Sequence, residues 1–89
     1  MRFAWDPAKE RLNEQRHGVR FQEATTVFGD PLAITIADSD HSVGEERFLT
    51  IGQSRAGNLL VVCHTEQGNT IRIISARTAS AQERKDYEA

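Results

Sequence analysis

Arg72, Arg77, His64 and Tyr87 are the side chains whose types and places suit chemistry on an anionic group. Arginine stays protonated, and its planar fork meets two oxygens of a phosphate or carboxylate at once. Arg72 interrupts an otherwise apolar strand-like run, so it either projects from an exposed face or is paired. Arg77 falls at a strand-to-helix junction, where the backbone N–H groups of the following helix favour anions. For both arginines the structural alternative is a salt bridge to Glu83, Glu46 or Glu66. His64 is a candidate acid or base because an unperturbed imidazole titrates near neutrality. Tyr87 offers a hydroxyl to donate or a ring to stack, with helix-to-sheet packing as its alternative. Glu83 reads first as a helix-capping residue and only second as a general base.

Other constellations lead elsewhere. Asp38, Asp40 and His41 invite a metal reading, but groups so close in sequence seldom converge on one ion without a further ligand. His64-Thr65-Glu66 echoes the His-x-Glu of zinc deaminases, yet no Cys-x-x-Cys follows. Gly52 to Gly57 has the wrong spacing for a nucleophile elbow. No metal or other cofactor is expected. Cys63, in an apolar strand, reads as inert core, and His17 as a favourable cation at a helix C-terminus.

Charge is distributed unevenly. The 89 residues carry 11 basic and 13 acidic side chains, a net of −2. Residues 1–46 hold five basic and nine acidic groups, whereas 47–85 hold six basic groups (Arg47, Arg55, Arg72, Arg77, Arg84 and Lys85) against Glu66 and Glu83. An isoelectric point near 5.9 argues against strong nonspecific nucleic-acid binding, while the basic half permits a local anionic site. The length fits one domain, residues 1–89. Composition at 38% hydrophobic and 27% charged is that of an ordinary soluble fold. The longest apolar run, Leu59 to Cys63, is far short of the roughly 20 residues a membrane span needs. The N-terminus carries no apolar signal core. With one cysteine there is no internal disulfide, and the cytoplasm is the expected compartment. A domain this small is expected to be marginally stable or to rely on a partner.

The elements that must position these residues are well punctuated. Asp6-Pro7 reads as an N-cap followed by proline at the first helical position, and His17-Gly18 as the end of that helix. Phe21, Ala24, Val27 and Phe28 form the apolar stripe of a second helix, which starts at Arg20 where a capping Ser or Asp would serve better. Gly29-Asp30-Pro31 stops it. Leu32, Ile34 and Ile36 alternate as a strand buried on one face. Arg47, Leu49 and Ile51 share one face of the next strand, with Phe48 and Thr50 on the other. The run 59–63 is apolar on both faces, as in a central strand. In the strand from Thr70 to Ala76, alternation sets Ile71, Ile73 and Ser75 against Arg72, Ile74 and Ala76. A two-residue Gly68-Asn69 turn would pair Thr65 with Arg72 and send His64 to the other face; a loop one residue longer would pair His64 with Arg72. Ser80 to Glu83 matches a capping box and opens the last helix. The expected fold is α+β: two N-terminal helices, a four-stranded antiparallel sheet and a C-terminal helix.

Several of these residues together form a pattern. Phe3-x-Trp5-Asp6-Pro7-x-Lys9, Asn13, His17-Gly18-Val19, Phe21-x-Glu23-Ala24 and Val27-Phe28-x-Asp30-Pro31 resemble the opening of the BrnT toxins. His41-Ser42, Glu46-Arg47-Phe48, Ile51-Gly52-x-Ser54, the run Arg72 to Arg77 with Ala79, and Glu83-Arg84 with Tyr87 continue the likeness over nearly the whole chain. Gln67 departs from it, standing where many relatives carry a basic residue.

The resemblance implies a RelE-like fold and a metal-independent endoribonuclease, the toxin of a type II toxin–antitoxin pair, which cleaves RNA, inhibits translation and is neutralised by a BrnA-type antitoxin. Such cleavage needs a base for the 2′-hydroxyl, cations for the charged phosphorane and an acid for the leaving oxygen. On this reading Arg72 and Arg77 clamp the phosphate, His64 or Tyr87 moves the proton, and Arg47, Arg84 and Lys85 bind RNA. The expected partners are the antitoxin, in a hetero-oligomer, and RNA. DNA is reached only through the antitoxin, and no membrane is involved. The alternative is a non-catalytic antitoxin-binding module or operon co-regulator of the same fold.

Overall fold

Chain order already dictates much of the architecture: helices at both ends must cover a sheet made by the strand-forming middle. The computed structural model describes residues 1–89 and contains β1 (Arg2–Ala4), α1 (Pro7–His17), α2 (Phe21–Thr26), β2 (Ile34–Ala37), β3 (Phe48–Gln53), β4 (Leu59–Gln67), β5 (Thr70–Thr78) and α3 (Ala81–Glu88). A 3₁₀ turn over Val27–Gly29 continues α2, so the apolar stripe to Phe28 is kept although the helix tightens.

Local signals act as their chemistry requires. The Asp6 carboxylate accepts from the Ala8 N–H at 2.8 Å, and Gly18 closes α1 with φ 68°, a conformation that disfavours side chains. Arg20 makes no side-chain capping bond. Its place is taken from a distance, because the Phe21 N–H donates to Glu10 Oε2 at 3.0 Å.

The strands form one sheet in the order β1-β5-β4-β3-β2, with β1 parallel to β5 and every other pair antiparallel. This corrects the expected four-stranded antiparallel sheet: it is a five-stranded mixed one. The added strand has only three residues and pairs through Phe3 opposite Ile71. So short a segment has no readable period, and it becomes a strand only because the β5 edge is there to receive it.

As the apolar run from Leu59 suggests, β4 lies at the centre. Its even-numbered side chains Leu60 and Val62 pack with Ile71, Ile73 and Ala76 beneath Val19, Phe21, Ala24 and Val27. On the opposite face Leu59 and Val61 pack with Ile51, against Leu49, Ala79 and Tyr87. Gly52 permits the close approach of the segment after α2, since a Cβ there would lie 2.8 Å from Val27 Cγ1. No helix is long and apolar enough to cross a membrane.

Candidate functional site

Strict alternation along β5 would set Arg72 and Arg77 on opposite faces, because they are five residues apart. The structure breaks that alternation. Cys63 pairs with Ser75 but His64 pairs with Ile73, so Ile74 is an extra, unpaired residue in a β-bulge. Arg72 then stands opposite Thr65, and Arg77 opposite Val61. Thr65 and Val61 share one face of β4, so both arginines project from that face, with Cα atoms about 13 Å apart by strand rise. The same bulge moves Ala76 to the helix-covered face with Ile71 and Ile73, away from Arg72, where simple alternation had set it.

Asn13 of α1 caps the edge of β5 two residues past the bulge. Its side-chain amide donates to the carbonyls of Ala76 (2.8 Å) and Val19 (2.9 Å), and its Oδ1 accepts from the Ala76 N–H at 3.0 Å. The amide thereby occupies backbone groups that a neighbouring strand would otherwise take.

Each arginine meets a carboxylate. Arg72 Nη2 donates to both oxygens of Glu45, at 2.7 and 2.8 Å, and Arg47 Nη2 approaches Oε1 of the same group at 3.4 Å. The hydrogen bond from Arg72 is the main reason that the Glu45 carboxyl lies below its ordinary pKa. Arg47 Nε is buried with no hydrogen-bond partner. At the other end of the face Arg77 forms a parallel fork with Glu83, 2.7 and 2.8 Å. That fork, assisted by the Ser80 N–H, holds Glu83 at a pKa of about 2, and Glu83 in turn raises that of Arg77. Glu83 also completes the capping box of α3 with Ser80, the role first expected for it. Between the arginines lies Cys63, opposite Ser75 in the ladder, a buried thiol whose pKa is raised mainly by desolvation.

Two proton-transfer candidates lie away from this cluster. The two-residue turn is the one realised, so His64 points into the helix-covered side. It is fully buried, with Nε2 at 2.7 Å from Thr50 Oγ1 and its ring 4.9 Å from that of Phe28 and 5.9 Å from that of Phe48. Burial pushes its imidazole below the ordinary pKa, against the weaker pull of Glu66. Tyr87 lies on the arginine side but is tied down: its hydroxyl donates to Asp30 Oδ2 at 2.6 Å, which raises its pKa. Asp30 also accepts the Gln53 and Leu32 N–H groups and stays a carboxylate, its pKa lowered chiefly by Gln53. Arg84 and Lys85 are exposed on α3. His41 closes on Asp38 at 3.0 Å, and no group of three or more His, Cys, Asp or Glu side chains converges as metal ligands would.

This geometry can be set beside known proteins. The family described as "Ribonuclease toxin, BrnT, of type II toxin-antitoxin system" matches residues 5–83. The chain belongs to the BrnT family. Its fold is similar to that of the Brucella abortus ribonuclease toxin BrnT, solved by crystallography, with a TM-score of 0.68 at 23% identity over 90% of this chain and 97% of that one. Among curated proteins, none matches.

Within this BrnT fold, Arg47 and Arg72 meet around Glu45, Arg77 stands at the other end of the same face on Glu83, and His64 is turned to the opposite face. Sequence reasoning missed two further residues. Glu45 is the partner of Arg72 in place of the Glu83, Glu46 or Glu66 expected from the sequence, because the loop before β3 folds it back over β5. Asn13 was visible in the family pattern, but its partner Ala76 is 63 positions away.

Proposed function

We propose that this chain, acting as one domain over residues 1–89, is a metal-independent endoribonuclease toxin that cuts RNA on its arginine face. Family membership supports the reaction class, and the observation that carries the site is the bulge that turns Arg72 and Arg77 to one side. A phosphodiester entering this face exchanges for Glu45 on Arg72 and on Arg47 Nη2. Arg77 then meets the same backbone from the other end. The displaced Glu45 carboxylate is left beside the phosphate and takes the 2′-hydroxyl proton. The 2′-oxygen bonds to phosphorus, the bond from phosphorus to the 5′-oxygen breaks, and that oxygen takes a proton from water, whose hydroxide recovers one from Glu45 and restores the carboxylate. The products are a 2′,3′-cyclic phosphate and a 5′-hydroxyl.

His64 and Tyr87 have no part in this scheme. His64 is buried on the far side of the sheet, and Tyr87 donates its hydroxyl hydrogen bond to Asp30 and serves to anchor α3. Arg84 and Lys85, free on α3, contact neighbouring phosphates. A BrnA-type antitoxin covers the arginines in a cytoplasmic hetero-oligomer and alone contacts DNA.

The test is cleavage of RNA by the purified chain with chelator present. Arg77→Ala should lower the rate by about 10²–10³-fold while the melting temperature stays close to that of the parent. Equal rates would remove Arg77 from the mechanism. A second reading, a non-catalytic antitoxin-binding module, is favoured by one observation: Arg72 and Arg77 are already neutralised by carboxylates. It predicts no growth arrest on induction without antitoxin, where the nuclease reading predicts arrest.

A further inference from the structure

The cations named so far are largely occupied, whereas others in the structure have no partner. Lys9, Arg16 and His17 of α1 make no salt bridge or hydrogen bond to another side chain, and together they line a cavity of about 170 Å³ between α1 and β5. Lys9 and Arg16 are two helical turns apart on one face, about 10 Å along the axis. Leu12, between them on the helix, is 59% exposed, an apolar surface beside two charges. The cavity opens at the bulge, where Ile74 and Ser75 form its other wall. Ser75 also stands opposite Cys63 in the ladder, on the arginine face, so one residue borders both places.

We infer that the cleft between α1 and β5 is a second contact site for the RNA strand, holding phosphates one or more nucleotides from the cut while Leu12 lies against a base. This rests on the nuclease reading above and extends it. The chemistry favours RNA: a polyanion gains most from cations that are not already neutralised, since each phosphate contacted releases a counterion. The cleft also meets the arginine face at Ser75, so one strand can follow both past β5.

The experiment measures binding of a short, fully 2′-O-methylated oligoribonucleotide, which lacks the attacking hydroxyl, by fluorescence anisotropy across a salt series. The Lys9→Ala/Arg16→Ala double variant should bind on the order of tenfold more weakly, with the slope of log affinity against log salt smaller by about 1.4. The control Arg11→Ala/Arg55→Ala, with the same loss of charge elsewhere on the surface, should stay within about twofold of the parent chain. Equal binding by the cleft variant, or an equal loss in the control, overturns the inference. So does a cleft variant that keeps RNA affinity but loses affinity for its antitoxin, since the surface then serves a protein. A parent chain that cleaves no RNA yet shows the cleft-dependent slope overturns the nuclease reading and leaves the cleft standing. A parent chain that binds no oligoribonucleotide overturns both.

Discussion

The two faces of the sheet are built from the same strands and solve different problems. The helix-covered face is apolar and closed, with Phe21, Ala24, Val27, Val62 and Ala76 wholly removed from solvent. Its buried ionisable group, His64, is hydrogen-bonded to Thr50 and held among aromatic rings. The other face has a small core of Ile51, Leu59 and Val61, flanked by the Glu45–Arg72 and Glu83–Arg77 pairs. Stability is concentrated on the first face and chargeable chemistry on the second. Partly exposed ion pairs contribute little to folding, which leaves them free to exchange partners.

Substitutions can break that division or sharpen it. Phe21→Ala should destabilise the fold by about 3–5 kcal/mol through loss of buried surface and the cavity left behind. Denaturant unfolding checks this, and a cost below about 1 kcal/mol would show that the helix-covered face is not the main core. Asn13→Ala tests whether the two faces are coupled, because Asn13 is buried yet bonds the backbone of Ala76, next to Arg77. Leaving the Ala76 and Val19 groups unpaired should cost about 2–3 kcal/mol. At a temperature where the variant remains folded, RNA cleavage should fall further than that of a core variant of matched stability. Equal rates in the two would show the faces to be uncoupled.

Tyr87→Phe removes only the hydrogen bond to Asp30 and should cost about 1 kcal/mol, with cleavage close to that of the parent. A large loss of rate at unchanged stability would restore Tyr87 to the chemistry. The smallest effect concerns acid. Glu83 has a pKa of about 2 in the folded chain against an ordinary value of 4.5. A depressed carboxyl pKa means that the unfolded chain binds the proton more readily, so this contribution is complete above about 4.5 and declines as pH falls toward 2. Thermal melts across that window should fall less steeply for Glu83→Gln than for the parent; parallel curves would mean that the Arg77 fork adds nothing to folding.

How far the fold can be read in advance depends on the range of the interaction. The ends of α1, the capping box of α3 and the central place of β4 follow from neighbours a few residues apart. The turn at Gly68-Asn69 was narrowed to two registers, and pairing of β5 along its length selected the one that buries His64. Strand β1 was missed for the opposite reason: three residues hold too little pattern to be read alone.

What the sequence determines by itself is the family, the helix boundaries and the presence of two arginines in the last strand and at its end. Tertiary structure decides that those arginines share a face. Alternation is a local rule and would separate them, whereas a bulge costs ladder hydrogen bonds and persists only where something else satisfies the backbone. Just past this bulge the amide of Asn13, brought from 63 positions away by the packing of α1 on the sheet, satisfies the N–H and carbonyl of Ala76.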